Sequence, residues 1–464
     1  MSILLSNISK VYFAGIGGIG MSALAHYFLE NNISVSGYDQ NSSAITRKLE
    51  ERGVQIAYDI KPENINDNLD LVVYTPAIPS DHPLLIFFKQ KGIQVLKRAE
   101  VLGMITQRLN TIAVAGSHGK TTISSLLTHL FHNSSINPYA FLGGISNNIG
   151  SNFKTGKDWA VVEADEFDYS FLKLYPKMII LSSIDSDHMD IYKSMDNLYD
   201  SFKSFVRKLP KEGKLIVHEK ANRNSDFDCP EIITYSLDNT ADIYPADIEK
   251  KDTFLHFSLN YKGRKISGFQ MPALGLHNLE NAIAAITAAL ESGLDENTIK
   301  VNLQSFSGVK RRFEYVFASE NILYIDDYAH HPTEINALLK SVKEQYPKRH
   351  TTIIFQPHLY SRTRDLAEEF GKSLSNADKV ILLDIYPARE APIENVNAAL
   401  IAKYISHGNH KLMTKEELTA QIDLMQLDIL ITAGAGDIDK LVEPIKNTLE
   451  NKNKNLIADS YEDK

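Results

Sequence analysis

The sequence predicts an α/β protein in three domains, and three observations carry that reading. Short apolar runs alternate with amphipathic helical patterns along nearly the whole chain, as expected of parallel strands joined by helical crossovers. The alternation restarts twice, which gives three successive βα series. The length of 464 residues suits about three domains at roughly 150 residues each.

In the first series KVYFAG (10–15), SVSGYD (34–39) and LDLVVYTP (69–76) are strands separated by helical patterns. They predict a Rossmann-like, doubly wound domain over residues 1–108. The second series runs through TIAVAG (111–116), a helix from Lys120, DWAVVEADEF (158–167), MIILSSI (178–184) and KLIVHE (214–219). This predicts a central P-loop ATPase-like parallel sheet over 109–313. From Ile232 to Pro272 short alternating strands with Gly and Lys turns add a small antiparallel sheet. An amphipathic helix from His277 and a short one near 295–304 complete the domain. A C-terminal Rossmann-like domain over 314–450 has strands at 322–328, 351–358, 379–387 and 428–436, with Pro332 opening a helix where its missing N–H costs nothing. The polar tail, 451–464, is read as frayed.

Composition narrows the function classes. Hydrophobic residues at 43% and charged ones at 23% are those of a chain that folds. The 58 acidic against 49 basic residues leave a net −9, which disfavours nucleic acid and anionic membranes as partners. Cys229 stands alone, so no intrachain disulfide forms and a reducing, cytoplasmic setting is expected. The N-terminus MSILLSNISK lacks the basic region of a signal peptide. No run approaches the ~20 apolar residues of a membrane span, so no stable membrane insertion is expected.

Two glycine loops each join a strand to a helix. Gly15, Gly17 and Gly20 form G-x-G-x-x-G, with Gly18 inside the motif and Asp39 ending the next strand. Such a turn is tight and must let backbone approach a pyrophosphate, whose charge the helix N-terminus stabilises. NAD(P) and a UDP-sugar both fit that description. The second loop, AGSHGKTT (115–122), reads as a phosphate loop. Backbone around Gly116, Ser117, His118 and Gly119 cradles phosphates, Lys120 reaches the terminal ones, and the Thr121 hydroxyl, beside Thr122, can ligate Mg²⁺. It is shorter than G-x-x-x-x-G-K-[ST], because the first glycine would fall at Val114. A simple dehydrogenase needs only one such site.

Glu163, Asp165, Glu166 and Asp168 follow one apolar strand, where four acids repel one another unless a cation sits among them. The next strand leads to Asp185, Asp187, His188 and Asp190. Glu163 and His188 are therefore expected to meet near Thr121 and share a metal, Mg²⁺ by its oxygen donors or Mn²⁺ through the histidine. His277 and Asn281, four apart, share a helix face, and Asn278 is a candidate N-cap. Arg311 and Arg312 are placed to reach nucleotide phosphates. Asp326, Asp327, His330, His331, Arg362 and Arg364 follow two third-domain strands and are expected near one cleft, arginine being suited to a substrate carboxylate.

GIGGIGM, GSHGKTT, EADEFD, DSDHMD, HNLEN, RRFE, DDYAHHPTE and FQPH with SRTRD, in that order, resemble the ATP-dependent Mur ligases of peptidoglycan synthesis, up to about residue 445. The resemblance implies an N-terminal domain for a UDP-sugar (Gly15, Gly17, Gly18, Gly20, Asp39), a central ATPase domain and a C-terminal domain that brings an amino acid. It implies a reaction joining L-alanine to the lactyl carboxylate of UDP-N-acetylmuramate, with ATP giving ADP and phosphate through an acyl phosphate. It further implies Thr121, Glu163 and His188 as the magnesium set. Asn278 and Asn281 would hold the nucleotide's surroundings, Arg312 and Asp327 would close over ATP, and Tyr328, His330 and Arg362 would form the alanine pocket. The match departs at Leu359, where an arginine is usual; either Arg362 then suffices for the carboxylate, or Arg364 or another domain supplies a second contact. Two alternatives stand beside this reading. A recycling ligase would attach a tripeptide to the same sugar nucleotide, and an NAD(P)-dependent oxidoreductase would explain the first loop alone.

Overall fold

Unbroken Val, Ile, Leu and Ala runs tolerate burial on both faces, and each of these runs is a buried parallel strand. The computed structural model describes residues 8–59, 65, 68–79, 81–185, 189–273, 275–388 and 390–462, with backbone alone at 189–190 and 454–462. The chain divides into two units, Met1–Ala273 with Asn278–Ser307, and Leu274–His277 with Gly308–Lys464.

The first unit holds two sheets. One is a five-stranded parallel sheet in the order Gln55–Ala57, Ser34–Tyr38, Lys10–Ala14, Leu71–Tyr74, Gln94–Lys97. The order reverses beside Lys10–Ala14, so the loop after that strand opens at the crevice where ligands gather in such sheets. The other sheet has ten strands. Its parallel part runs Glu231–Tyr235, Lys214–His218, Met178–Leu181, Asn110–Ala115, Trp159–Glu163, Tyr139–Ser146, and Ser151–Lys154 closes that edge antiparallel. At the opposite edge Ile243–Lys251 joins Glu231–Tyr235 in parallel, and Phe254–Tyr261 and Arg264–Pro272 continue the same sheet, each antiparallel to the strand before it. The antiparallel addition is thus an extension of the main sheet, and Glu231–Tyr235 is its last fully parallel member. One hydrophobic core spans both sheets of this unit, from Val11 and Phe28 to Phe171 and Phe205. Helix Ile19–Glu30 seals it, with Tyr27 against Tyr139 and Phe141 at 5.4 and 5.7 Å between ring centres.

The second unit is a six-stranded sheet ordered Glu314–Ala318, Leu323–Asp327, Ile429–Ala433, Thr351–Phe355, Lys379–Leu382, His410–Leu412. Only the first strand is antiparallel. Pro332 opens helix Pro332–Gln345 as expected, behind a capping box of His331 and Glu334. Helix Val442–Glu462 extends into the polar tail, since no Gly or Pro after Pro444 interrupts the pattern.

Helix Lys120–Leu130, which carries the phosphate-loop lysine, is tied at its far end by Asn302, whose amide donates to the carbonyls of Leu130 at 2.9 Å and His132 at 2.8 Å. Asn302 and its bond to the Leu130 carbonyl are buried, so that carbonyl would be left without this donor if the amide were lost. Asn302→Ala should lower the first unit's unfolding free energy by about 2 kcal/mol, measured as a shift of the urea midpoint. An unchanged midpoint would show that the tie carries no stability.

Candidate active site

The first loop turns because Gly15 adopts φ 81°, and a Cβ there would lie 2.7 Å from Thr75 Cγ2. The N–H groups of Gly15 and Ile16 both bond the Tyr38 carbonyl, at 2.8 and 3.0 Å. Gly17 N–H donates to Asp39 Oδ2 at 2.7 Å, which brings the predicted loop glycine and acid together. Gly18 caps helix Ile19–Glu30 without a side-chain bond, leaving the first-turn N–H groups directed at the loop. Gly20 lies under Arg98: a Cβ there would sit 2.9 Å from its Nη1. Arg98 in turn approaches Asp165 at 3.8 Å, and its neighbour Lys97 bonds Asp168 at 2.7 Å. Sequence reasoning passed over both cations, whose pairing with acids some seventy residues on has no local signature.

The phosphate loop is built on close approach. Gly116 has φ 122° and faces Ser182 and Ser183; an added Cβ would stand 2.3 Å from Ser182 Oγ. Gly119 has φ 80°, and its Cβ would meet Asn281 Oδ1 at 2.5 Å, so Asn281 does lie over the loop. Ser117 N–H and His118 N–H are taken by Ser183 at 3.1 Å each, and Ser182 donates to the His118 carbonyl. His118 Nε2 lies 3.4 Å from Asp185. Lys120, Thr121 and Thr122 form the helix's first turn, whose N–H groups have no carbonyl one turn back. Asn278 is corrected from N-cap to helix residue, because helix Leu276–Glu291 starts two positions earlier and buries it; Asn281 Nδ2 reaches its Oδ1 at 3.5 Å.

Around Lys120 the acids sort themselves. Its Nζ donates to the Gly116 carbonyl at 2.6 Å and lies 2.9 Å from both carboxylate oxygens of Glu166. Burial disfavours the ammonium, but the charges of Glu166, Asp165 and Glu163 outweigh it and hold the lysine charged. Thr121 Oγ1 donates to Glu163, with its two carboxylate oxygens at 3.1 and 2.9 Å, and Gly143 N–H holds the same carboxylate at 2.9 Å. A hydroxyl and a carboxylate, both hard oxygen donors, thus converge as a magnesium site requires. His188 and Asp187 lie outside the described residues, and among those described no group of three acids, histidines or cysteines is poised around a metal.

In the second unit, Arg311 and Phe313 take φ 61° and 50° on either side of Arg312. Arg311 is bound inward, to Asp326 Oδ2 at 3.0 Å and the Gly434 carbonyl at 2.7 Å. Asp326 is wholly buried and also accepts from Thr432 at 2.6 Å, so the expectation that it lines a cleft is corrected: it anchors Arg311. Asp327 accepts from the N–H groups of Phe313 at 2.6 Å and Ala329 at 2.7 Å. Burial pushes its carboxyl up to about 6 despite Arg312 nearby. Arg312 stacks over Tyr328, guanidinium to ring 5.0 Å. Tyr328 and His330 meet edge to face at 5.4 Å, and His330 is 6.2 Å from the His358 ring. Burial lowers the His330 pKa, Glu334 opposes that, and the charges of Arg362 and Arg312 lower it further. An imidazole kept neutral beside a phenol, with the charges of two guanidinium groups acting on it, suits an anion with polar neighbours. His277 Nδ1 meets Ser341 at 2.8 Å. His331 serves as the helix cap, and Arg364 pairs with adjacent Asp365 on the surface at 2.7 Å.

Leu359 has φ 71° and ψ 137°, a conformation costly for a side chain with a Cβ. It is held by its N–H to the Tyr386 carbonyl at 3.0 Å and caps helix Tyr360–Asp365, which bears Arg362.

Three segments match Mur ligase family descriptions: residues 10–109 (Mur ligase family, catalytic domain), 114–289 (Mur ligase middle domain) and 311–436 (Mur ligase, glutamate ligase domain). The chain is 41% identical over 458 residues to a UDP-N-acetylmuramate–L-alanine ligase of Cytophaga hutchinsonii, covering 97% of this chain and 98% of that one. It is 44% identical over 452 residues to a protein of the same name from Christiangramia forsetii, covering 96% and 98%. Among solved structures it is similar to a UDP-N-acetylmuramate-alanine ligase from Thermotoga maritima, with TM-score 0.80 and 25% identity over 96% of this chain and 99% of that one. A murein peptide ligase from Psychrobacter arcticus shares the fold at TM-score 0.69 and 23% identity, over 95% and 99%. With the family's descriptions matched in order along the chain and relatives above 40% identity across nearly all of it, this chain belongs to the Mur ligase family.

Proposed function

We infer that the chain is an ATP-dependent ligase joining L-alanine to the lactyl carboxylate of UDP-N-acetylmuramate, the first amino-acid addition in building a peptidoglycan precursor. The observation that carries it is the loop 116–122, with Lys120 at the helix start and Thr121 bonded to Glu163, in a chain whose relatives at 41% and 44% identity bear that ligase's name. The tripeptide-attaching and oxidoreductase readings are not favoured. A cytoplasmic setting goes with the proposal, since both nucleotide substrates are cytoplasmic metabolites; no helix among the described residues is long and apolar enough to cross a membrane.

The chemistry follows from the residues. The lactyl carboxylate attacks the γ-phosphorus of ATP, the bond to the β-phosphate oxygen breaks, and ADP leaves an acyl phosphate behind. The alanine amine then attacks the acyl carbon; the tetrahedral intermediate expels phosphate as the amine nitrogen loses its proton, and an amide remains. Lys120 and the first-turn N–H groups offset charge on the transferring phosphoryl group, where most of the catalysis of such transfers lies. Thr121 and Glu163, with His188 by resemblance, would hold Mg²⁺, which when bound neutralises phosphate charge; Mn²⁺ fits the same donors. Gly15, Gly17, Gly18, Gly20 and Asp39 are proposed for the UDP-sugar. The nucleotide-facing roles of Asn278, Asn281, Arg312 and Asp327 belong to the same proposal. Tyr328, His330 and Arg362 are proposed to receive the alanine carboxylate.

Phosphate release with UDP-N-acetylmuramate, ATP and Mg²⁺ should be fastest with L-alanine among L-alanine, glycine, L-serine and a tripeptide; faster release with the tripeptide would overturn the assignment. Lys120→Ala should lose at least ~10²-fold in kcat, and a folded variant with normal turnover would remove this loop from the chemistry. Arg362→Lys keeps the charge but loses the fork, so the KM for L-alanine should rise about tenfold with little change for ATP. An unchanged alanine KM would place the carboxylate elsewhere.

A further inference from the structure

The phosphate-loop lysine is already occupied. An ammonium has three protons; the Lys120 Nζ has the Gly116 carbonyl at 2.6 Å and the two Glu166 oxygens at 2.9 Å, with the Ser117 carbonyl more distant at 3.5 Å. The pair is enclosed, with the Lys120 side chain 14% and that of Glu166 1% exposed. The backbone that presents Glu166 is fixed from several sides. Its carbonyl accepts Tyr192 Oη at 2.6 Å and Tyr169 N–H at 3.1 Å, and Phe171 N–H bonds the Asp165 carbonyl at 2.9 Å. Asp168 and Tyr169 both take φ 54°, folding the segment back on itself.

We propose that Glu166 is an internal counter-ion that occupies Lys120 until the terminal phosphates of a nucleotide displace it, and so sets nucleotide affinity. The inference rests on the reading of 116–122 as the ATP loop. A phosphate oxygen can bond Nζ only by taking the place of a present acceptor, and the Gly116 carbonyl belongs to the loop that must stay in shape. Glu166 therefore yields, or it repels the arriving phosphates across a buried space where charges interact strongly. In the empty state it keeps the lysine aimed into the loop and spares it an unpaired buried charge. Glu166 is on this account a positioning residue: it acts on the nucleotide through Lys120.

Calorimetry on the full chain with Mg²⁺ and a non-hydrolysable ATP analogue tests this. Glu166→Gln should lower the Kd for the analogue about tenfold, with the Kd for UDP-N-acetylmuramate unchanged. Asp165→Asn removes the same charge from a neighbour that acts on Lys120 only through space, without a bond to it, and should tighten the analogue's binding far less than Glu166→Gln does. Glu166→Asp, which keeps the charge but withdraws it by one methylene, should give a smaller tightening and decides the matter if Glu166→Gln does not fold. Equal or weaker analogue binding by a folded Glu166 variant overturns the inference, as does equal tightening by Asp165→Asn. A wild-type chain that binds no analogue would overturn the ATP-loop reading and this inference together; wild-type binding without tightening overturns the inference alone.

Discussion

A lysine ammonium enclosed in a folded chain requires an anion, and in this structure the Glu166 carboxylate stands 2.9 Å from the Lys120 ammonium. Much of the first unit can be understood as what is needed to hold that pair. The strand Asn110–Ala115 is flanked on both sides by parallel strands, so the loop that leaves it starts from a rigid edge. Ser182 and Ser183, leaving the neighbouring strand, fasten the outer part of the loop. Asn281 covers Gly119. The acids follow the strand on the other side, where Glu163 meets the threonine and Glu166 the lysine. Each contact comes from a different stretch of sequence, and the sheet is what brings them to one edge.

The parts that sequence made legible are those whose cause is local. Strands buried on both faces announce themselves as apolar runs, and Gly116 and Gly119 stand where a Cβ would collide. Tyr139–Ser146 escaped notice because Gly143 and Gly144 interrupt its apolar pattern; Gly143 lies there because the Glu163 carboxylate crosses it, and a Cβ would approach an oxygen to 2.4 Å. Asp326 and Asp327 are adjacent and chemically identical, yet one is an internal anchor for Arg311 and the other clamps the Phe313 turn. Nothing in the string DDY separates them. Likewise the choice of Glu166 over Asp165 for Lys120 depends on a kinked segment whose two positive-φ residues are not glycines.

The second unit uses strain rather than a gap left by glycine. Leu359 is held in a backbone conformation that glycine would adopt freely, and its carbonyl takes both the N–H and the hydroxyl of Thr363, at 3.1 and 2.8 Å. Those bonds fix the first turn of the short helix that carries Arg362.

The tie between Asn302 and the end of helix Lys120–Leu130 also orders events during synthesis. A ribosome delivers the loop sequence long before Met178–Leu181, Asn281 or Asn302 exists to shape it. Contacts so far apart along the chain close late, since the intervening loop entropy must be met first. A nascent chain that has emerged only to the acids thus carries the phosphate-loop sequence without its geometry.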